Sequence, residues 1–201
     1  MLNKRNHIVC VLIGILFSVF VTGSLVQARK DALQEQVASQ VLRFHVLANS
    51  DSEEDQALKM QVKQKVLDFI KAELPESESL AETKNWVSSH LSEIQMVAKE
   101  KVEEAGYSYR VKAEIRDCQF PVKTYGDITF PAGTYEALRI EIGEAEGQNW
   151  WCVLYPNLCF YDAIHAVVPE EGKEELEEVL DQEAYELVTS RTIFKIRWFF
   201  F

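Results

Sequence analysis

Most of the patterns that announce a chemistry are missing from this sequence. Its four histidines and four cysteines include no CxxC, HxxxH or HExxH spacing, so no zinc signature is present. There is no glycine-rich loop to cradle a phosphate, and no local signature around a cysteine nucleophile. Internal repeats and low-complexity tracts are also absent. Positive charge is scarce: 21 Lys and Arg face 32 Asp and Glu, for a formal charge of −11. Removing a leader that holds Lys4 and Arg5 takes the charge to −13. A chain this acidic is a poor ligand for nucleic acid or an anionic lipid surface. No metal, cofactor or small-molecule substrate is expected.

What is present begins with a targeting signal. Lys4 and Arg5 precede a run from Ile8 to Val26 that has no charge and is nearly all apolar. Val26-Gln27-Ala28 puts small residues where signal peptidase needs them, which predicts cleavage between Ala28 and Arg29. The run also approaches the ~18–20 residues that span a bilayer, so an uncleaved anchor is the rival reading. The expected organisation is a signal peptide or anchor over 1–28 and a single domain over 29–201, placed outside the cytoplasm.

The domain reads as α+β (or mixed α/β), with one mainly antiparallel sheet packed with several helices. A short amphipathic helix covers Asp31–Gln40, and Val41–Leu47 is apolar and β-branched enough for a buried strand. Leu58, Val62, Val66, Phe69 and Ile70 mark one face of a helix from Glu53 to about Ala72. A second helix runs to Ala105, with Gly106 just past its end. Period two then predicts strands over 107–116 and 138–142, and a buried strand over Trp150–Leu154. A last helix is expected over Lys173–Val188. Ile193–Phe201 reads as a final strand or a docking tail.

The stretch RFHVLANSDSEEDQAL, from Arg43 to Leu58, reads as strand, turn and helix start. Asn49, Ser50, Asp51 and Ser52 favour turns and caps because their short side chains bond to nearby backbone. Ser52 with Asp55 three residues later resembles a capping box. His45 lies in the strand, and the turn lies at its carboxyl end, where α/β folds usually build sites. This segment, together with QNWWCVLYPNLCF from Gln148 to Phe160, resembles the stage II sporulation protein R family of endospore-forming bacteria. One departure is Asn157, where relatives are expected to carry a second proline. The resemblance implies a non-enzymatic signal. Such a protein is secreted across the forespore membrane into the intermembrane space of the sporulation septum. There it switches on a membrane-bound protease that processes a sigma-factor precursor in the mother cell.

The residues themselves leave alternatives open. His45, Asn49, Ser50, Asp51 and Asp55 can serve the turn, contact a partner or, as the rival reading, serve a small exported hydrolase with His45 and Asp51. Trp150 and Trp151 face opposite sides if extended, so one is expected in the core and the other at a partner. A hairpin with a four-residue loop over Leu154–Asn157 would set Cys152 opposite Cys159, close enough to bridge. Two buried free thiols are the alternative.

Overall fold

The computed structural model describes residues 4–75, 79–160 and 168–189. The fold is α+β. Helix α1 (Lys4–Ser39) leads into strand β1 (Leu42–Leu47), followed by α2 (Glu53–Glu73), α3 (Leu80–Ser89) and α4 (Leu91–Glu104). Strands β2 (Val111–Phe120), β3 (Lys123–Tyr125), β4 (Ile128–Phe130), β5 (Gly133–Ile142) and β6 (Asn149–Tyr155) come next, then a 3₁₀ turn over Leu158–Phe160. Helices α5 (Glu170–Val179) and α6 (Gln182–Thr189) complete the described chain.

The main sheet has the order β2-β5-β1-β6. Only β1 and β5 run parallel; β2–β5 and β1–β6 are antiparallel, and β3–β4 is a separate hairpin. Every residue of β1 is buried, because this strand has a neighbour on each side and a layer on each face. Phe44, Val46, Leu138 and Ile140 meet the apolar stripes of α2 and α4 on the first face. Ala137, Val153, Cys118 and Phe120 meet Val37 and Val41 from the end of α1, the β3–β4 hairpin and α6 on the second.

Several elements differ from the sequence reading. The short helix over Asp31–Gln40 is the end of α1, which runs unbroken from the leader into the domain. The second long helix is broken at His90. The His90 ring stacks on Trp86 at 4.2 Å and its Nδ1 bonds to the Trp86 carbonyl at 2.8 Å, closing one helix before the next begins. β2 lies at 111–120 rather than 107–116, because pairing with β5 starts only at Val111 opposite Ile142. The β3–β4 hairpin was not anticipated. It turns at Gly126-Asp127, with Gly126 at φ +58°, a conformation glycine adopts without steric cost. The last helix splits at Asp181, whose carboxylate accepts from the Ala184 N–H at 3.1 Å and starts α6 afresh. The segment Ile193–Phe201 lies outside the described residues.

The helix start after β1 is as expected. Ser52 is the N-cap of α2, and its hydroxyl accepts from the Asp55 N–H at 3.2 Å. Ser52→Ala should therefore lower stability by about 1 kcal/mol, read as a shift in the urea midpoint with an unchanged slope.

Candidate functional site

The carboxyl end of β1 enters a turn in which nearly every side chain is already committed. Asp55 is 3% exposed and accepts from Asn49 Nδ2 at 2.8 Å and Ser50 Oγ at 2.5 Å. Burial alone would raise its pKa. The donors Ser50, Asn49, Tyr109 and Ser52 outweigh that and hold the carboxyl below its ordinary value. Asn49 Oδ1 accepts from the Glu144 N–H at 3.0 Å, and the exposed Asp51 accepts from the Gln148 N–H at 2.7 Å. Lys59 is 5% exposed and donates to the Gln148 carbonyl at 2.9 Å and to Gln56 Oε1 at 2.6 Å. The β1–α2 turn and the β5–β6 loop are thus laced together. Gly147 fits this junction closely: a Cβ there would stand 2.1 Å from the Ser50 carbonyl oxygen.

On the second face of the sheet, Glu114, Arg139, His45 and Trp151 form one row across β2, β5, β1 and β6. The His45 ring lies flat on Trp151, with centroids 3.8 Å apart and planes at 15°. Its Nε2 sits 2.7 Å from Asn149 Oδ1, an acceptor, so Nε2 carries the hydrogen and Nδ1 is left as a bare lone pair. Nδ1 is buried and unpartnered, and so is Nε of the neighbouring Arg139. Burial drives the His45 pKa down to about 4, opposed by the Asn149 hydrogen bond and helped by the charge of Arg139. His45 is therefore neutral at physiological pH. Arg139 bonds to Glu141 at 2.7 Å, and Glu114 bonds to Lys112 at 2.7 Å and to Arg116 at 3.4 Å. This half of the face is a polar, partly open surface.

One row away lies Arg43, whose whole side chain is out of solvent. Its guanidinium carbon is 4.3 Å from the Phe120 ring centre, 4.9 Å from Tyr135, 5.0 Å from Phe130 and 5.9 Å from Tyr125. Nε donates to the Cys152 carbonyl at 2.9 Å and Nη2 to the Tyr125 hydroxyl at 3.0 Å, while Nη1 has no partner. No carboxylate pairs with it among the described residues. Ring quadrupoles and two dipoles hold the cation instead. Arg43 was not singled out from sequence. The available signal was its place between Leu42 and Phe44, inside a strand otherwise built for burial.

The remaining candidates divide. Trp150 and Trp151 do face opposite sides, yet both are half-buried: Trp150 packs edge-on against Phe44 at 5.6 Å with Lys63 over its ring. The hairpin expected to oppose Cys152 and Cys159 does not form. β6 ends at Tyr155, the Tyr155–Pro156 bond is cis, and Cys159 lies in the 3₁₀ turn rather than on a facing strand. Both cysteines are free thiols. They remain neighbours: burial pushes the Cys159 thiol well up, reinforced by its hydrogen bond with Cys152. Ala28 and Arg29 sit inside α1, and Arg29 pairs with Glu183 of α6 at 2.6 Å.

The profile of the family described as stage II sporulation protein R matches residues 38–165, from the last turn of α1 across the whole main sheet. The chain belongs to the stage II sporulation protein R family. The protein named stage II sporulation protein R in Bacillus subtilis (strain 168) is 36% identical over 176 residues, covering 85% of this chain and 79% of that one. No solved structure matches significantly. The matched region holds the β1–α2 turn, the His45 row and Arg43 together. The chain is accordingly a sporulation protein, and its N-terminal apolar helix is compatible with a signal peptide or an anchor.

Proposed function

We propose that the chain is an exported, non-enzymatic signal. It binds a membrane-bound protease and favours that protease's active state, so that a sigma-factor precursor is processed across the sporulation septum. The observation that supports this most directly is the union of a sporulation family domain with an apolar leader helix, which sends the domain out of the cytoplasm. Binding can shift the protease only through a higher affinity for its active state. The turn residues fit a recognition scaffold. Asn49, Ser50 and Asp55 are spent on one another and on backbone groups, which fixes the start of β6 with its half-exposed Trp150 and Trp151. Partly exposed tryptophans on a rigid strand are favoured anchors for a partner.

The test is co-expression with the protease and the sigma-factor precursor in a non-sporulating host, with precursor cleavage as the readout. Asp51→Asn keeps the acceptor for the Gln148 N–H and should leave signalling within a few-fold of the parent. If Asp51→Asn and His45→Gln both fold, both bind the protease and both abolish cleavage, the hydrolase reading replaces this one.

A further inference from the structure

The main sheet ends on β6 at one side and on β2 at the other. β2 is the longer edge, ten residues paired with β5 in unbroken register. Two hydrogen bonds fix which of its backbone groups look outward. One step before Val111 meets Ile142, the Arg110 carbonyl accepts from the Gly143 N–H at 2.8 Å, so even-numbered positions bond inward to β5. The Ala113 N–H points the other way and donates to Gln95 Oε1 of α4 at 3.0 Å. The backbone groups of Ile115 and Asp117 therefore face outward, and none of them has a partner among the described residues. An unpaired edge of this length is a template for another strand unless something blunts it. β2 has no proline and no bulge. Its only guards are Lys112, Glu114, Arg116 and Asp117, which sum to zero in a chain that carries −11 overall.

The order of these charges selects what can pair with the edge. Glu114 and Arg116 flank Ile115 with opposite signs. A second copy laid antiparallel, with Ile115 opposite Ile115, sets Glu114 opposite Arg116 twice. Because the groups of Ile115 face outward, the two Ile115 residues form the hydrogen-bonded pair. Glu114 and Arg116 then fall in the closer non-hydrogen-bonded pairs, with Cα atoms about 4.5 Å apart, where opposite charges stabilise the ladder. The neighbouring two-fold registers, centred on 114, 116 or 117, instead set Glu114 on Glu114, Arg116 on Arg116 or Asp117 on Asp117. Like charges directly opposite disfavour all three. Ile115 is half-buried at the rim of the first-face core, so a second Ile115 beside it continues that apolar layer.

We infer that the outer edge of β2 is a docking site for a second copy of this chain, paired antiparallel about Ile115. Gln95 already holds the Ala113 N–H. The new ladder is therefore made of the reciprocal Ile115 bonds and of the Asp117 N–H donating to the Ala113 carbonyl of the other copy. The pairing uses the edge opposite β6, so Trp150 and Trp151 stay free for a partner of another kind.

The experiment uses the full chain in detergent micelles, with association read by sedimentation equilibrium over a concentration series. The parent should form a dimer. Glu114→Arg and Arg116→Glu should each weaken it about tenfold, because two attractive cross-strand pairs become two repulsive ones. A mixture of the two variants should regain the parental affinity, since every pair across the mixed dimer again joins opposite signs. Chains that had merely misfolded would not recover on mixing. A parent that stays monomeric, a dimer indifferent to both reversals, as one held by the leader helices would be, or a mixture that fails to recover would each overturn the proposal.

Discussion

Arg43→Ala should destabilise the domain by about 4 kcal/mol, whereas Arg43→Met should stay within about 1.5 kcal/mol of the parent. The alanine leaves a cavity among four aromatic rings and removes the donors to the Cys152 carbonyl and the Tyr125 hydroxyl. Methionine refills most of that volume with a flexible apolar chain. Replacing a buried charge by an apolar side chain of similar size is often neutral, because the desolvation cost of the charge disappears along with its attractions. Urea unfolding of the two variants measures both effects. A methionine variant as unstable as the alanine one would mean that the cation itself, rather than the volume it fills, stabilises the fold.

The second large effect is set by pH. His45 has a folded pKa of about 4 against an ordinary value of 6.5, because burial disfavours its charged form. Between these values the unfolded chain binds the proton and the folded chain does not. Stability is therefore full above about pH 6.5, falls as pH drops toward 4, and loses about 3 kcal/mol in total from this group. His45→Gln should flatten that window when unfolding free energy is measured at a series of pH values. Asp55, Glu114, Asp127 and Asp181 have lowered pKa values and add losses at more acid pH, and they do so in both proteins. Parallel curves for parent and His45→Gln between pH 6.5 and 4 would reject the assignment.

How much of this was legible in the sequence depends on the range of the interactions involved. The β1 strand and the Ser52 cap are specified by neighbours along the chain, through apolar run and side-chain reach, and both are found where expected. The break at His90 was hidden because a stacked ring and a shared carbonyl leave the apolar period intact on either side. The start of β2 was misplaced because alternation shows which residues could form a strand, while the ladder depends on a partner far along the chain. In the site, the turn residues could be picked out by type. Their commitment to the β5–β6 loop could not, since residues about 95 apart in sequence meet there. Arg43 was missed for a related reason. A buried arginine without a carboxylate depends on rings from β2, β3, β4 and β5, which no local pattern brings together.

The unbroken course of α1 bears on what a cut after Ala28 would leave behind. Val26, Gln27 and Ala28 lie within the helix, so they must unwind before a peptidase can take them in extended form. Once cut, the shortened helix would begin with a free ammonium on Arg29, next to the side chains of Arg29 and Lys30. That places three positive charges at the end where helical N–H groups already sum to about half a positive charge. The contact from Gln27 to Asp31 would be lost with the leader, freeing the Asp31 carboxylate in the new first turn, while Glu183 stands beside Arg29. Cleavage would thus add one ammonium to a mid-helix position that already carries Arg29 and Lys30, making a cationic tip that two carboxylates keep from fraying.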